Sequence, residues 1–386
     1  MMETRQKRLY ILLLLNFFFF GISLTIIGAS LPKIINDYAW SYIESGIVLA
    51  AGSIGYFVST FVSGFLIRAW GFRPVLVLGL AISAVSCFFF GIIPFFLFNT
   101  ILNFMIGAGQ GGLEVVVNSA VVRMERKGEQ HLMGYVHAAF SAGAVLGPLG
   151  VGSFLASGVG WRGAFAVLGA AFGVLAVSAV FYRFSRLSSP DSGGGDAKRA
   201  VRYPWIVALG TAVILVYVGI EVGVSNWIGE FSLNKFGMSP EKASFWVALF
   251  WGGMLAGRTL FPSLLKKMKP GRELLLLTFV AAAASAGAGL AGNAVLGAVM
   301  TVLAGAGCSS IYPLVMLIVG RRIRGNESVG LGIVSTGGGV GGFVFPFIMS
   351  ALSEVFGIKQ GFLFFPGIGV LLVLLSFFLM RRDRTL

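Results

Sequence analysis

Hydrophobic residues occur in long, nearly uninterrupted runs along almost the whole chain, separated by short polar connections. A helix needs about 20 apolar residues to cross a bilayer, because each residue adds only about 1.5 Å. Twelve runs meet this length and predict twelve membrane-spanning helices, at residues 9–32, 41–67, 74–95, 96–122, 133–156, 161–182, 204–229, 239–264, 273–291, 294–320, 328–353 and 360–380. The pattern therefore predicts an all-α membrane protein.

Composition and charge agree with this prediction and set the orientation of the spans. Only 11% of the 386 residues are charged, whereas soluble domains carry about 25%. With the N-terminus inside, 23 of the 29 lysines and arginines fall at cytoplasmic ends or loops, as the positive-inside rule requires. Five fall outside, namely Lys33, Arg162, Lys235, Lys242 and Lys359. We therefore expect a multi-pass inner (plasma) membrane protein with both termini cytoplasmic, surrounded by lipid and needing no nucleic-acid partner to explain its net charge of +14.

A weak internal repeat divides the spans into two groups of six. At an offset of 198 residues, Gly107-Ala108-Gly109 aligns with Gly305-Ala306-Gly307, and Arg123 aligns with Arg321. A stretch rich in serine, glycine and charge, LSSPDSGGGDAKRAVR, separates the halves. We predict a six-helix bundle at 1–186, a cytoplasmic linker at 187–203 and a second bundle at 204–386. Parallel repeats with a substrate site near the midplane between them are a known transporter plan.

Two carboxylates lie well inside predicted spans, Glu114 and Glu221. An ionisable side chain in a bilayer costs at least a few kcal/mol, so it faces a bundle interior or a water-filled cavity. Gln110 and Asn118 share the face of Glu114, one helical turn before and after it. This polar stripe suits hydroxylated ligands, and its carboxylate could exchange a proton or hold a sodium ion. The alternative is a protonated glutamate that only hydrogen-bonds neighbouring helices.

Other polar or aromatic residues in the spans are weaker candidates. In the seventh span Asn226 and Trp227 follow Glu221. Asn226 is a weaker candidate for binding ligand, and the tryptophan is either a flat platform for a sugar ring or an interface anchor. His137 in the fifth span either relays protons and contacts ligand or is a packing residue. Arg258 in the eighth span either extends toward the interface or pairs at a cytoplasmic gate.

Several other chemistries lack their sequence patterns. No metal-ligand spacing, nucleophile–base cluster or Walker A sequence is present. We therefore predict neither an enzyme nor direct coupling to ATP, and no cofactor apart from a coupling ion, H⁺ or Na⁺.

The connection after the second span resembles a family signature. GFLIRAWGFRP (64–74) is similar to the G-x-L-x-D-R-x-G-R-R/K loop of the major facilitator superfamily, with Arg68 where aspartate is usual. The resemblance implies twelve helices in two pseudo-symmetric bundles and a gating role for this loop, carried here by Arg68 and Arg73. A monomer is the usual expectation for that fold.

Four further segments resemble the fucose permease-like sugar symporters within that superfamily. They are GAGQGGLEVVVNS (107–119), YVHAAFSAGAVLGP (135–148), YVGIEVGVSNWI (217–228) and FWGGMLAGR (250–258). The resemblance implies alternating-access transport of a hexose-like sugar driven by H⁺ or Na⁺. It makes Glu114 the leading coupling and sugar-contact residue, with Asn118 beside it. Members of that branch can carry an acidic residue a few positions before the proline that ends helix 1, but residues 28–31, before Pro32, include none here. If coupling uses two carboxylates, Glu221 is therefore the available second cation-coupling and substrate-contact residue.

Two other functions remain open from the sequence. A proton-coupled efflux antiporter for amphipathic molecules shares the fold and also uses membrane carboxylates. A membrane sensor that does not transport is a third class, although the sequence shows no soluble region beyond short loops that would carry a signal.

Overall fold

The computed structural model describes residues 4–124, 132–182, 184, 204–323 and 327–382, and this part of the chain is helical without any strand. Polar backbone groups in a bilayer must be satisfied within the segment that carries them, which is why the long apolar runs form helices. The helices are α1 (Thr4–Tyr38), α2 (Tyr42–Trp70), α3 (Phe72–Phe89), α4 (Phe96–Met124), α5 (Leu132–Ala156), α6 (Trp161–Phe181), α7 (Pro204–Phe236), α8 (Pro240–Leu264), α9 (Pro270–Leu290), α10 (Ala294–Cys308), α11 (Ile311–Gly320), α12 (Glu327–Phe356), α13 (Ile358–Gly361) and α14 (Phe364–Arg382).

The helices correspond closely to the predicted spans. In the described residues, 11 helical segments are long and apolar enough to cross a membrane, with α10–α11 and α13–α14 each counted as one. The eighth predicted span is α8, whose 25 residues are long enough but less apolar because they include Arg258. The third span ends at Phe89, earlier than predicted, because the chain turns at Gly91 with a φ of +79°, a conformation that favours glycine.

The chain forms two compact units. The first comprises Met1–Pro190 together with Pro240–Ala248, and the second Asp191–Ser239 together with Leu249–Leu386. In the first unit α1 packs against α5, α2 against α4, and α3 against α6. In the second, α7 packs against α12 and α9 against both α10 and α14. The predicted linker, 187–203, lies outside the described residues.

Glycines that lie very close to the backbone of a neighbouring helix occur in both units. Their positions in the two units are related by the same 198-residue offset as the sequence repeat. A Cβ added to Gly55 would overlap the carbonyl oxygen of Phe104, and one added to Gly253 would overlap that of Val302. Both glycines let two helix backbones approach closely, as small residues do in membrane bundles. The same 198-residue offset relates a second pair of contacts, Gly107 against Gly52 and Gly305 against Phe250. The repeat is therefore a repeat of helix crossings as well as of residue types.

Candidate functional site

Glu114 lies in the middle of α4 and contacts two polar side chains. The hydroxyl of Tyr56, on α2, donates a hydrogen bond to Glu114 Oε2. The Nδ2 of Asn118 lies 3.5 Å from Glu114 Oε1, at the long limit of a hydrogen bond. Both described partners are uncharged, so no arginine or lysine balances this carboxylate in the described part of the chain.

Asn118 also carries an acceptor that lacks a partner. Its Oδ1 is buried, and no described residue hydrogen-bonds to it. A buried polar atom left unsatisfied costs about 1–3 kcal/mol, and such atoms in native structures call for an explanation such as a missing water, ion or ligand. Here the open acceptor lies next to a carboxylate, so a ligand hydroxyl or a cation could bind both groups.

Gln110, the third member of the predicted stripe, has a partner inside the protein. Its Nε2 donates a hydrogen bond of 2.7 Å to the Ser23 hydroxyl on α1, and its side chain is buried. This bond connects α4 to α1. Of the three residues in the predicted stripe, only Glu114 and Asn118 contact each other. Tyr56 was not predicted as a site residue, because only the packing of α2 against α4 shows that it reaches Glu114.

Glu221 has a different environment, in the second unit. The hydroxyl of Tyr217, one turn earlier on α7, hydrogen-bonds the Glu221 carboxyl, and Arg258 on α8 interacts with it electrostatically. The Nε of Arg258 also donates to the carbonyl oxygen of Ser309, at the break between α10 and α11, over 3.3 Å. The two membrane carboxylates thus differ: Glu221 has a cationic neighbour and Glu114 has neutral ones. Tyr217 could have been found from the sequence, because it lies four residues before Glu221.

The remaining candidates occupy varied positions. Trp227 has 0% of its surface exposed, so neither face of its ring is open to a ligand in this structure. Asn226 beside it is also buried. His137 is exposed, and its ring meets the edge of Phe17 with 5.6 Å between ring centroids. Ligand contacts at these positions stay predictions.

The predicted gating arginines of the 64–74 loop are both exposed. Arg68 lies 6.0 Å from the centre of the Phe65 ring. Arg73 Nη1 lies 3.4 Å from the carbonyl oxygen of Val180, joining the start of α3 to the end of α6. Their gating role, like that of Arg258, stays a prediction. Across the described residues there is no cluster of three or more His, Cys, Asp or Glu side chains that could hold a metal ion.

Comparison with known families identifies the chain. The model of the Major Facilitator Superfamily matches residues 13–324, which is most of the sequence. The chain belongs to the Major Facilitator Superfamily. It is therefore a multi-pass membrane transporter, and the family predicted from the loop after the second span is confirmed.

Among known proteins, this chain is 26% identical over 379 residues to the glucose/galactose transporter of Brucella abortus biovar 1 (strain 9-941), covering 91% of this chain and 89% of that protein. It is 28% identical over 256 residues to multidrug resistance protein 2 of Bacillus subtilis (strain 168), covering 62% of each. The likeness to the Brucella glucose/galactose transporter extends over nearly the whole sequence, whereas the likeness to multidrug resistance protein 2 covers less of it.

Solved structures confirm the predicted superfamily fold. A bacterial homolog of the human lysosomal transporter Spinster, in its inward-facing, unoccupied form, matches with a TM-score of 0.78 at 15% identity, over 100% of this chain and 99% of that one. A single-residue variant of the E. coli fucose:proton symporter FucP matches with a TM-score of 0.64 at 17% identity, over 97% of this chain and 98% of that one.

Proposed function

We propose that this transporter carries a hexose-like sugar together with H⁺ or Na⁺ by alternating access. The observation that carries the proposal is the pair formed by Glu114, a membrane carboxylate with uncharged partners, and Asn118, with its open acceptor. The likeness to the Brucella glucose/galactose transporter and to the fucose:proton symporter supports the substrate class and the coupling. In the bilayer we place both termini in the cytoplasm and the protein in the inner membrane as a monomer.

Glu114 is the group that changes charge during the cycle. A charged side chain in the membrane is costly unless it is compensated. Because its described partners are neutral, compensation comes from the coupling ion. A proton would neutralise the carboxyl directly. A sodium ion would need several oxygen ligands, and Asn118 Oδ1 and the Tyr56 hydroxyl are the neighbouring oxygens.

The sugar supplies the hydrogen-bond donor that Asn118 Oδ1 lacks among the described residues. A sugar hydroxyl has one hydrogen, which it would donate to Asn118 Oδ1. Its oxygen would then accept a hydrogen bond from the protonated Glu114 carboxyl, or bind a sodium ion held there, so one hydroxyl would satisfy both groups. A hydrogen bond contributes about 0.5–1.5 kcal/mol. Because this contact to the sugar oxygen forms only when Glu114 carries its ion, the affinities for sugar and ion are coupled through one carboxyl group. Such coupling makes transport of the sugar depend on the ion gradient.

Glu221 has a different role in this mechanism. Arg258 interacts electrostatically with its carboxyl, so Glu221 depends less than Glu114 on an ion from solution. We assign Glu221, with Tyr217 and Arg258, to a polar group that maintains the second unit. Glu114 is then the leading coupling residue.

Transport by purified protein in proteoliposomes tests the proposal. We expect hexose counterflow that distinguishes stereoisomers when glucose, galactose, fucose and mannose are compared, with and without sodium and at several pH values. Replacing Glu114 by Gln keeps the shape of the side chain but removes its charge. This variant should lose gradient-driven accumulation while retaining counterflow.

The matched control is Glu354→Gln, which changes an exposed glutamate near the end of α12. It should accumulate sugar like the unchanged protein. If Glu114→Gln still accumulates sugar against a gradient, the coupling role is wrong. If no sugar gives counterflow with folded protein, the substrate class is wrong.

A second candidate is efflux of amphipathic molecules. The likeness to multidrug resistance protein 2 over 256 residues favours it. Efflux predicts drug resistance when the protein is expressed in a sensitive host, together with no sugar counterflow. Counterflow of a single hexose stereoisomer would exclude this alternative as the main activity.

A further inference from the structure

An apolar groove lies between α9 and α14 in the second unit, and none of its lining residues belongs to the candidate site. It has a volume of about 600 Å³, and its lining includes Leu276, Phe279, Leu374 and Phe377. Phe279 and Leu374 are 60% and 50% exposed. Because α9 and α14 belong to membrane-spanning segments, these exposed apolar side chains face the bilayer.

One end of this groove is positively charged. Arg272, in the first turn of α9, lines the groove. Arg381, in the last turn of α14, places its guanidinium 4.6 Å from the centre of the Phe377 ring, which also lines it. In the described part of the chain neither arginine forms an ion pair, and the adjacent Glu273 pairs with neither of them. Both guanidinium groups lie at the end of the helices that the charge pattern assigns to the cytoplasm, where the head group of a lipid would lie.

The groove ends where the two helices come close together. A Cβ added to Gly369 on α14 would lie 2.9 Å from the Cβ of Ala282 on α9. The residues of α9 that line the groove run from Arg272 to Phe279, about 10 Å at 1.5 Å per residue. The groove thus has a cationic end followed by an open apolar channel long enough for the first part of an acyl chain.

We propose that this groove binds one anionic phospholipid of the surrounding bilayer. The phosphate lies between Arg272 and Arg381, and an acyl chain follows Leu276, Phe279 and Leu374. Basic pockets between membrane helices on the cytoplasmic side are suited to anionic head groups. A free phosphate would use the arginines but leave the apolar channel without a ligand. A zwitterionic lipid would bring an ammonium group toward the two arginines.

Lipid binding by the purified full-length protein tests the proposal. Native mass spectrometry in detergent would compare phosphatidylglycerol with phosphatidylcholine of the same chain length. We expect tighter binding of phosphatidylglycerol. Each basic residue near an anionic surface contributes about fivefold in affinity, so Arg272→Gln with Arg381→Gln should weaken binding by about 25-fold.

A matched control removes the same charge elsewhere. Lys266→Gln with Lys267→Gln changes two exposed lysines in the connection between α8 and α9 and leaves the groove intact. It should bind phosphatidylglycerol like the unchanged protein. An equal loss in this control would show diffuse attraction and would overturn the proposal, as would unchanged binding by the double arginine variant.

A third variant tests the apolar part of the groove. Leu374→Trp places a larger ring in the channel and keeps both arginines, so it should also weaken binding of phosphatidylglycerol. Unchanged binding by this variant, or displacement of the lipid by inorganic phosphate at millimolar concentration, would assign the arginines to a free anion and reject the lipid site.

Discussion

The crossing of α2 and α4 makes a quantitative prediction about two glycines on one helix. Gly107 and Gly112 both face α2, but at different distances from it. A Cβ on Gly107 would overlap the backbone carbonyl of Gly52, whereas a Cβ on Gly112 would meet only the hydroxyls of Ser59 and Ser63, both at 3.5 Å. The first contact is with backbone, which cannot rotate away, and the second is an ordinary contact distance.

Comparing Gly107→Ala with Gly112→Ala isolates the steric term. Both substitutions gain the same helix propensity, about 1 kcal/mol, so this gain cancels in the difference. Overpacking costs about 1–3 kcal/mol, and 1 kcal/mol shifts Tm by about 2–4 °C for units of 150–250 residues. Gly107→Ala should therefore melt at least about 2 °C below Gly112→Ala.

Thermal unfolding of both variants in the same detergent, followed by size-exclusion chromatography after heating, measures this difference. The α2–α4 crossing also holds Tyr56 against Glu114, so Gly107→Ala should lower sugar uptake while Gly112→Ala leaves it unchanged. Equal melting temperatures, or a higher one for Gly107→Ala, would refute the reasoning that this crossing is set by backbone contact.

Three further predictions follow from named contacts. Tyr56→Phe removes the hydroxyl that donates to Glu114; a loss of about 1.5 kcal/mol should lower coupled uptake about tenfold in proteoliposomes, and unchanged uptake would contradict a direct role. Arg258→Gln removes the cation that interacts with Glu221, so it should lower the free energy of unfolding of the protein by about 1–3 kcal/mol. Adding Glu221→Gln should restore part of that stability. A double variant less stable than either single variant would contradict the pairing. Trp161→Phe removes the 2.9 Å hydrogen bond from the indole to Asp37 Oδ2, which should cost about 1 kcal/mol and lower Tm by about 2–4 °C, with an unchanged Tm as the opposing result.

Much of the fold could be predicted from the sequence because a bilayer permits few solutions. The length of each apolar run determines a span, and the lysines and arginines between runs indicate its direction. Local boundaries were harder to predict. The end of α3 at Phe89 depends on the turn at Gly91, and the break between α10 and α11 lies within one continuous apolar run.

The candidate site could be predicted only in part. Glu114 and Asn118 lie four residues apart on one helix, so helical periodicity alone places them together. Gln110 has the same periodicity, yet its amide is bound to Ser23, 87 residues earlier in the chain. Trp227 is suited to a sugar platform by its chemistry, but packing within the structure buries it completely.

The sequence by itself determined that this protein is a helical membrane transporter with two repeated halves and a carboxylate in its fourth span, because these properties depend on local hydrophobicity and on residues near each other in the chain. Only the tertiary structure decided that Tyr56 contacts Glu114 and that Arg258 interacts electrostatically with Glu221. Those pairs are 58 and 37 residues apart. Tyr56 reaches Glu114 because glycines on α2 and α4 let these two helices pack closely, and Arg258 interacts with Glu221 because the fold brings α8 near α7.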